Sequence, residues 1–210
     1  MFRNIIWDLD GTLFDTYPAI ASALQTAVAD LGYEARLDWI ESLVKISIGF
    51  CESSLAEHFN ISEAEIDSKF VEHYDRIKPE DQPPFPGVTA LCAYIYSSGG
   101  KNVIVTHRRE VGTVKLLAVH RLSGYFAGYL TNGDGYPKKP DPAAFEAVLR
   151  DHDLQRAETI AVGDRDIDVL AGRAAGLFTC LYGAGIEGIP ADLTIKHFEE
   201  LHRYIVAANG

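Results

Sequence analysis

The sequence predicts an α/β fold: a Rossmann-like parallel sheet core with helices on both faces, plus a small α-helical domain inserted after the first strand. Three observations predict it. Short apolar runs rich in β-branched and aromatic residues recur along the chain, and helical patterns separate most of them. The first two runs lie about ninety residues apart, where a single crossover helix needs only about a dozen.

The runs fall at residues 4–7, 102–105, 128–130, 159–162 and 178–182, each short enough for a buried strand. Between them come Val111, Val114, Leu117 and Ala118, then Phe145, Val148 and Leu149, then Val169, Leu170 and Arg173 ahead of Gly176. Alternation of this kind gives parallel strands joined by right-handed crossovers. Inside the long first gap, Ala19, Ile20, Ala23, Leu24, Ala27, Val28 and Leu31 recur at helical spacing, and Ile66, Phe70, Val71, Tyr74 and Ile77 do so again. The insert therefore reads as a helical cap over residues 16–85, leaving 1–15 and 86–210 as the α/β core. Pro83, Pro84 and Pro86 with Gly87 make the stiff return connector, and the outgoing hinge falls near residues 15–17.

Of the 210 residues, 47% are hydrophobic and 23% charged, which is ordinary globular usage and argues for a fully folded, soluble chain. Acidic residues outnumber basic ones by 30 to 19, for a net charge of −11. Such a surface repels nucleic acid and anionic membranes. The early apolar stretch from Ile5 to Trp7 is interrupted by Asp8, too short for a leader or a membrane span, so the expected location is the cytoplasm. Cys51, Cys92 and Cys180 are odd in number and widely spaced, which suggests reduced, buried thiols rather than disulfides or a zinc site.

In an open parallel sheet the ligand site lies beyond the carboxyl ends of the strands. Polar segments stand there: Asp8-Leu9-Asp10-Gly11-Thr12 after the first run, Thr106-His107-Arg108 after the second, and Gly163-Asp164-Arg165-Asp166-Ile167-Asp168 after the fourth. Lys138-Lys139-Pro140-Asp141-Pro142 precedes a later helix. Converging carboxylates repel one another and resist desolvation, so a cation is expected among them. Oxygen donors without Cys or clustered His favour Mg²⁺ over zinc. With the metal and Lys139 neutralising an incoming phosphate, Asp8 can act as nucleophile. Asp10 can protonate a leaving oxygen and later activate water, and Gly11 permits the tight turn this requires. Thr106 offers a hydroxyl to phosphate oxygens. Asp166 is read as capping its helix, and Asp168 either joins the site or pairs with Arg165 or Arg173.

These residues resemble the motifs of the haloacid dehalogenase-like superfamily over essentially the whole chain. Asp8, Asp10, Gly11 and Thr12 match its first motif, Thr106 its second, Lys139 its third, and Gly163, Asp164 and Asp168 its fourth. An Asp-x-Asp-Gly-Thr run arises by chance in about two of a thousand chains this long; three further motifs in order make coincidence remote. The resemblance implies a phospho-aspartate on Asp8, and Mg²⁺ ligated by Asp8, the Asp10 backbone carbonyl and Asp164 with Asp168 beside them. The helical insert resembles the cap of the phosphoglycolate phosphatase and β-phosphoglucomutase branch, which closes over its substrate.

The expected activity is hydrolysis of a small phosphate monoester, such as a phosphoglycolate-like compound, a sugar phosphate or a nucleoside monophosphate, by a monomer or homodimer. Thr12, His107, Arg108 and, in the insert, Lys45 and Ser47 are candidate substrate contacts, against a reading of Arg108, Lys45 and Ser47 as solvated surface groups. His107 and Arg108 depart from the Asn and Lys more usual in that branch. The main rival is a phosphomutase that returns the phosphoryl group to a sugar, followed by a silent binding protein on the same fold. A dehalogenase needs neither Asp10 nor the metal set, and a phosphonate hydrolase needs a cap lysine for which only Lys45 is available.

Overall fold

The computed structural model describes residues 1–183, 188 and 191–210. The chain forms two compact units: Met1–Phe14 with Pro84–Gly210, and the inserted stretch Asp15–Pro83.

Strand β1 (Asn4–Trp7) opens the first unit, with all four residues buried. Ile5 and Trp7 join one hydrophobic cluster and Ile6 the other, because successive side chains of a strand point to opposite faces. Both faces are therefore covered, as a parallel strand requires.

The inserted unit has four helices: α1 (Tyr17–Asp30), α2 (Leu37–Val44), α3 (Ile48–Phe59) and α4 (Glu63–Tyr74). Ile20, Leu24 and Val28 of α1 bury against Ile40, Leu55, Ile66 and Phe70 in a core of the unit's own. The ends are set locally. Pro18 opens α1, the Ser47 hydroxyl accepts the Phe50 N–H at α3, and Ser62 with Glu65 forms a capping box at α4. Asn60 ends α3 in the left-handed region at φ +53°. The Asp15 N–H donates to the Pro83 carbonyl at 2.9 Å, so the unit begins and ends at one point. Helical spacing in the sequence registers α1 and α4; α2 and α3 are shorter or less regular in their apolar positions.

The chain continues through α5 (Val88–Ser97), β2 (Asn102–Val105), α6 (Glu110–Val119), β3 (Phe126–Leu130), α7 (Ala143–Asp151), β4 (Thr159–Gly163), α8 (Asp166–Ala174), β5 (Phe178–Tyr182), β6 (Leu193–Ile195) and α9 (Phe198–Asn209). The six strands are parallel, in the order β3-β2-β1-β4-β5-β6. Leu91 and Cys92 of α5, Leu116 and Leu117 of α6, and Phe198 and Ile205 of α9 cover one face. Phe145 and Val148 of α7 and Ala171 of α8 cover the other. The buried Trp7 indole donates to Asn102 Oδ1 at 3.0 Å, and the Asn102 amide donates to the Cys92 and Tyr125 carbonyls, so that polar pair costs little. Strand β6 is absent from the sequence reading, and β3 begins two residues earlier than the apolar run suggests. Cys51, Cys92 and Cys180 are buried free thiols. No helix among the described residues is long and apolar enough to cross a membrane.

Candidate active site

The strand order reverses direction between β1 and β4, and an open α/β sheet binds its ligand at such a switch point, beyond the carboxyl ends. Asp8 follows β1 there and Asp164 follows β4. The Asp8 N–H extends the ladder by donating to the Val162 carbonyl at 2.9 Å, which fixes the carboxylate at the sheet edge. Leu9, Leu13 and Phe14, all fully buried, anchor the next turn. The turn closes through Gly11, whose φ of +80° suits glycine and whose N–H donates to Phe14 at 2.9 Å.

At the centre stands Lys139, its side chain 1% exposed. Its ammonium donates to Asp8 Oδ1 at 2.5 Å and to the Val105 carbonyl at 3.0 Å, and meets Asp168 Oδ1 at 2.6 Å. Asp8 and Asp168 are each 3% exposed. Burial pushes the Asp8 carboxyl upward, opposed by Lys139 and reinforced by Asp168. For Lys139, burial acts downward, but Asp168 and Asp8 outweigh it and the net shift is upward. The two shifts are compatible: two carboxylates share one ammonium, so the lysine gains while the carboxylates compete.

Asp168 reaches this position from the first turn of α8. Its Oδ2 accepts the Arg165 N–H at 3.1 Å, so the capping role expected of Asp166 belongs to Asp168, while Asp166 Oδ1 accepts the Ile167 N–H. Gly163 makes the approach feasible, since a Cβ there would lie 2.2 Å from the Asp168 Cβ. Asp164 accepts the Thr12 hydroxyl at 3.1 Å.

Asp8, Asp164 and Asp168 each offer an oxygen within 4.8 Å of the others. Asp8 Oδ2 is buried with no hydrogen-bond partner among the described residues, a costly state for a carboxylate oxygen. An all-oxygen donor set with one orphaned oxygen fits a hard divalent cation.

The remaining candidates are placed as follows. Thr106, 4% exposed, accepts the Arg108 N–H on its hydroxyl at 3.0 Å. The Arg108 guanidinium grips the Asp10 carboxylate through three contacts of 2.6 to 3.2 Å. His107 faces the polypeptide: its Nε2 accepts the Lys139 N–H at 2.9 Å. Lys45 and Ser47 belong to the inserted unit, where Lys45 ends α2 and Ser47 caps α3. The sequence reading missed the Val105 carbonyl, for which no residue type gives a signal. It also set aside Arg165, whose charge acts on both Asp8 and His107; its position inside the fourth polar segment was the available clue.

The family model of haloacid dehalogenase-like hydrolases matches residues 5–182. A phosphoglycolate phosphatase of Photobacterium profundum is 30% identical over 220 residues, covering 95% of this chain and 93% of its own length. Among solved structures, a hydrolase from Streptococcus pneumoniae TIGR4 is 28% identical with a TM-score of 0.66, covering 87% of this chain and 94% of that one. The crystal structure of a predicted phosphoglycolate phosphatase from Haemophilus somnus superimposes with a TM-score of 0.83 at 19% identity over 97% of both chains, a likeness of fold.

Proposed function

The chain belongs to the haloacid dehalogenase-like hydrolase family, and from that premise we propose that it is a magnesium-dependent phosphatase acting on a small phosphate monoester. The observation that carries the reading is the state of Asp8: one carboxylate oxygen held by Lys139, the other buried and unpaired, with Asp164 and Asp168 close by.

In this reading an Asp8 carboxylate oxygen attacks phosphorus. The bond to the ester oxygen breaks with its electron pair on that oxygen, which takes a proton from Asp10. Water then gives a proton to Asp10 and attacks phosphorus, breaking the bond to Asp8 and releasing phosphate. Lys139 supports both steps by countering charge on the transferring group. The Thr106 hydroxyl offers it a hydrogen bond. Because Arg108 holds the Asp10 carboxylate in this state, Asp10 must turn off that fork to reach a leaving oxygen. Asp8, the Asp10 backbone carbonyl and Asp164 would hold the magnesium ion, with Asp168 next to them. Such an ion supplies Lewis-acid neutralisation of the phosphate.

The similarity to phosphoglycolate phosphatases makes 2-phosphoglycolate the first substrate to test, followed by sugar phosphates and nucleoside monophosphates. The three buried free thiols suit a reducing compartment, and we assign the protein to the cytoplasm. The test is phosphate release from that panel, with and without magnesium, comparing wild type with the nearly isosteric Asp8→Asn. Magnesium-dependent release that vanishes in the variant is expected. Release that persists in the variant, or none from any compound, overturns the reading; isomerised sugar phosphate without release points to a mutase.

A further inference from the structure

We propose that His107 is a positioning residue: its imidazole fixes the backbone of Lys139, so that the end of β2 grips this lysine at both ends. The inference rests on the reading of Lys139 as the charge-neutralising group of a phosphatase. Lys139 lies between β3 and α7, in a connector with no helix or strand of its own. No ladder therefore fixes its main chain. Beside the turn bond from the Asp141 N–H to the Lys138 carbonyl, it is held by the 2.9 Å bond from its own N–H to His107 Nε2, while two residues earlier on the same strand end the Val105 carbonyl accepts from its Nζ at 3.0 Å. Thr106, the residue between, presents the hydroxyl assigned to the phosphate. One short segment thus sets the relative positions of a hydroxyl and an ammonium that must act on the same group.

The chemistry of the imidazole suits this role. Acceptance at Nε2 requires that nitrogen to be unprotonated and places the proton of the neutral ring on Nδ1. Burial, then Lys139 and Arg165, act against a charged ring; Asp168 opposes them, Lys138 adds to them, and the net result is a pKa lowered to about 4. The acceptor therefore persists at any pH at which a phosphatase of this kind would work. A lysine or arginine at position 107 has no lone pair to offer and would crowd Lys139 with a like charge.

The test combines a direct view of the contact with kinetics, using the full chain. Nitrogen NMR of histidine-labelled protein, with His107 assigned by its loss in His107→Gln, is expected to show Nε2 unprotonated and Nδ1 protonated at pH 7. His107→Leu, which has no acceptor, should shift the Lys139 amide resonance. It should also lower kcat by about 10- to 100-fold, the cost of an ångström-scale misplacement, with KM changed by less than about 3-fold. His107→Gln, whose side-chain oxygen can accept the same N–H, should restore kcat to within about 5-fold of wild type. A proton found on Nε2 overturns the proposal, as does full activity in His107→Leu or a glutamine variant as poor as the leucine one. Should the leucine variant not fold, the wild-type tautomer and the glutamine variant still decide. Should the wild type hydrolyse no phosphate ester, the phosphatase reading falls while the tautomer independently decides the contact.

Discussion

Replacing Lys139 by methionine keeps an unbranched side chain, one atom shorter, and removes the ammonium that lies between Asp8 and Asp168. Both carboxylates are 3% exposed, with contacts of 2.5 and 2.6 Å to the lysine. Taking away one partner of a buried pair costs about 3–5 kcal/mol, because the charge left behind is neither solvated nor compensated. The unit concerned has about 140 residues, for which each kcal/mol shifts the melting temperature by about 4 °C. Lys139→Met should therefore melt about 12–20 °C below wild type at pH 7.5 in the presence of a chelator. The pH dependence has a definite sign. Without the lysine, desolvation and the charge of Asp168 remain to raise the folded-state pKa of Asp8 above its unfolded value. Such groups contribute stability that is fully present below the unfolded pKa and lost as pH rises through the folded one. The deficit should thus shrink as pH falls toward the ordinary carboxyl range, and the double variant Lys139→Met, Asp168→Asn should recover part of it at pH 7.5. Calorimetry across pH measures all three. A melting temperature for Lys139→Met equal to wild type at pH 7.5, or a deficit that does not change with pH, would refute the shared-ammonium argument.

Three further outcomes are expected. Arg108→Lys, which cannot fork onto Asp10, removes the grip that Asp10 has to leave before it acts, so kcat should be equal to wild type or higher, as steady-state kinetics will read. Gly163→Ala drives a Cβ to 2.2 Å from the Asp168 Cβ; overpacking of this kind costs about 1–3 kcal/mol and should also displace Asp168 from Lys139, so melting temperature and kcat should fall together. In the inserted unit, Glu52 has a buried Oε1 with no hydrogen-bond partner among the described residues, and burial followed by Asp67 and Glu63 pushes its carboxyl up to about 7. A folded pKa above the unfolded 4.5 means stability lost as pH rises through about 7. Glu52→Gln should therefore raise the melting temperature at pH 8, by about 1 kcal/mol in stability once solvent screening is allowed for, and have no such effect at pH 4.

The parts of this molecule that could be read from the chain are those fixed by near neighbours. Ile5, Ile6 and Trp7 announce a strand buried on both faces, and the polar residues that follow announce the sheet edge, so the position of Asp8, Thr106 and Asp164 just beyond their strands is legible without knowing what surrounds them. Strand β6 escaped because three residues in Asp192-Leu193-Thr194-Ile195 carry no period, and only pairing with β5 makes them a strand. Partner choice escaped for a related reason. Arg108 meets Asp10 across 98 positions and His107 meets Lys139 across 32, contacts created by the parallel register of β1 with β2 and by the course of the connector before α7. Residue types alone left Arg108 as either a substrate contact or surface charge, and His107 as a substrate contact. The same limit explains Asp166 and Asp168: which acid caps α8 depends on the helix starting one residue after Arg165, a boundary that spacing does not resolve.

The most direct test of the central claim is to trap the covalent intermediate. The enzyme turning over its best phosphate ester with magnesium is quenched in acid and reduced with borohydride, which converts an aspartyl phosphate to homoserine, and its peptides are sequenced by mass spectrometry. The account predicts homoserine at position 8 in the wild type and none in Asp8→Asn. Turnover with no reduced residue, or with the label on any other aspartate, would contradict it.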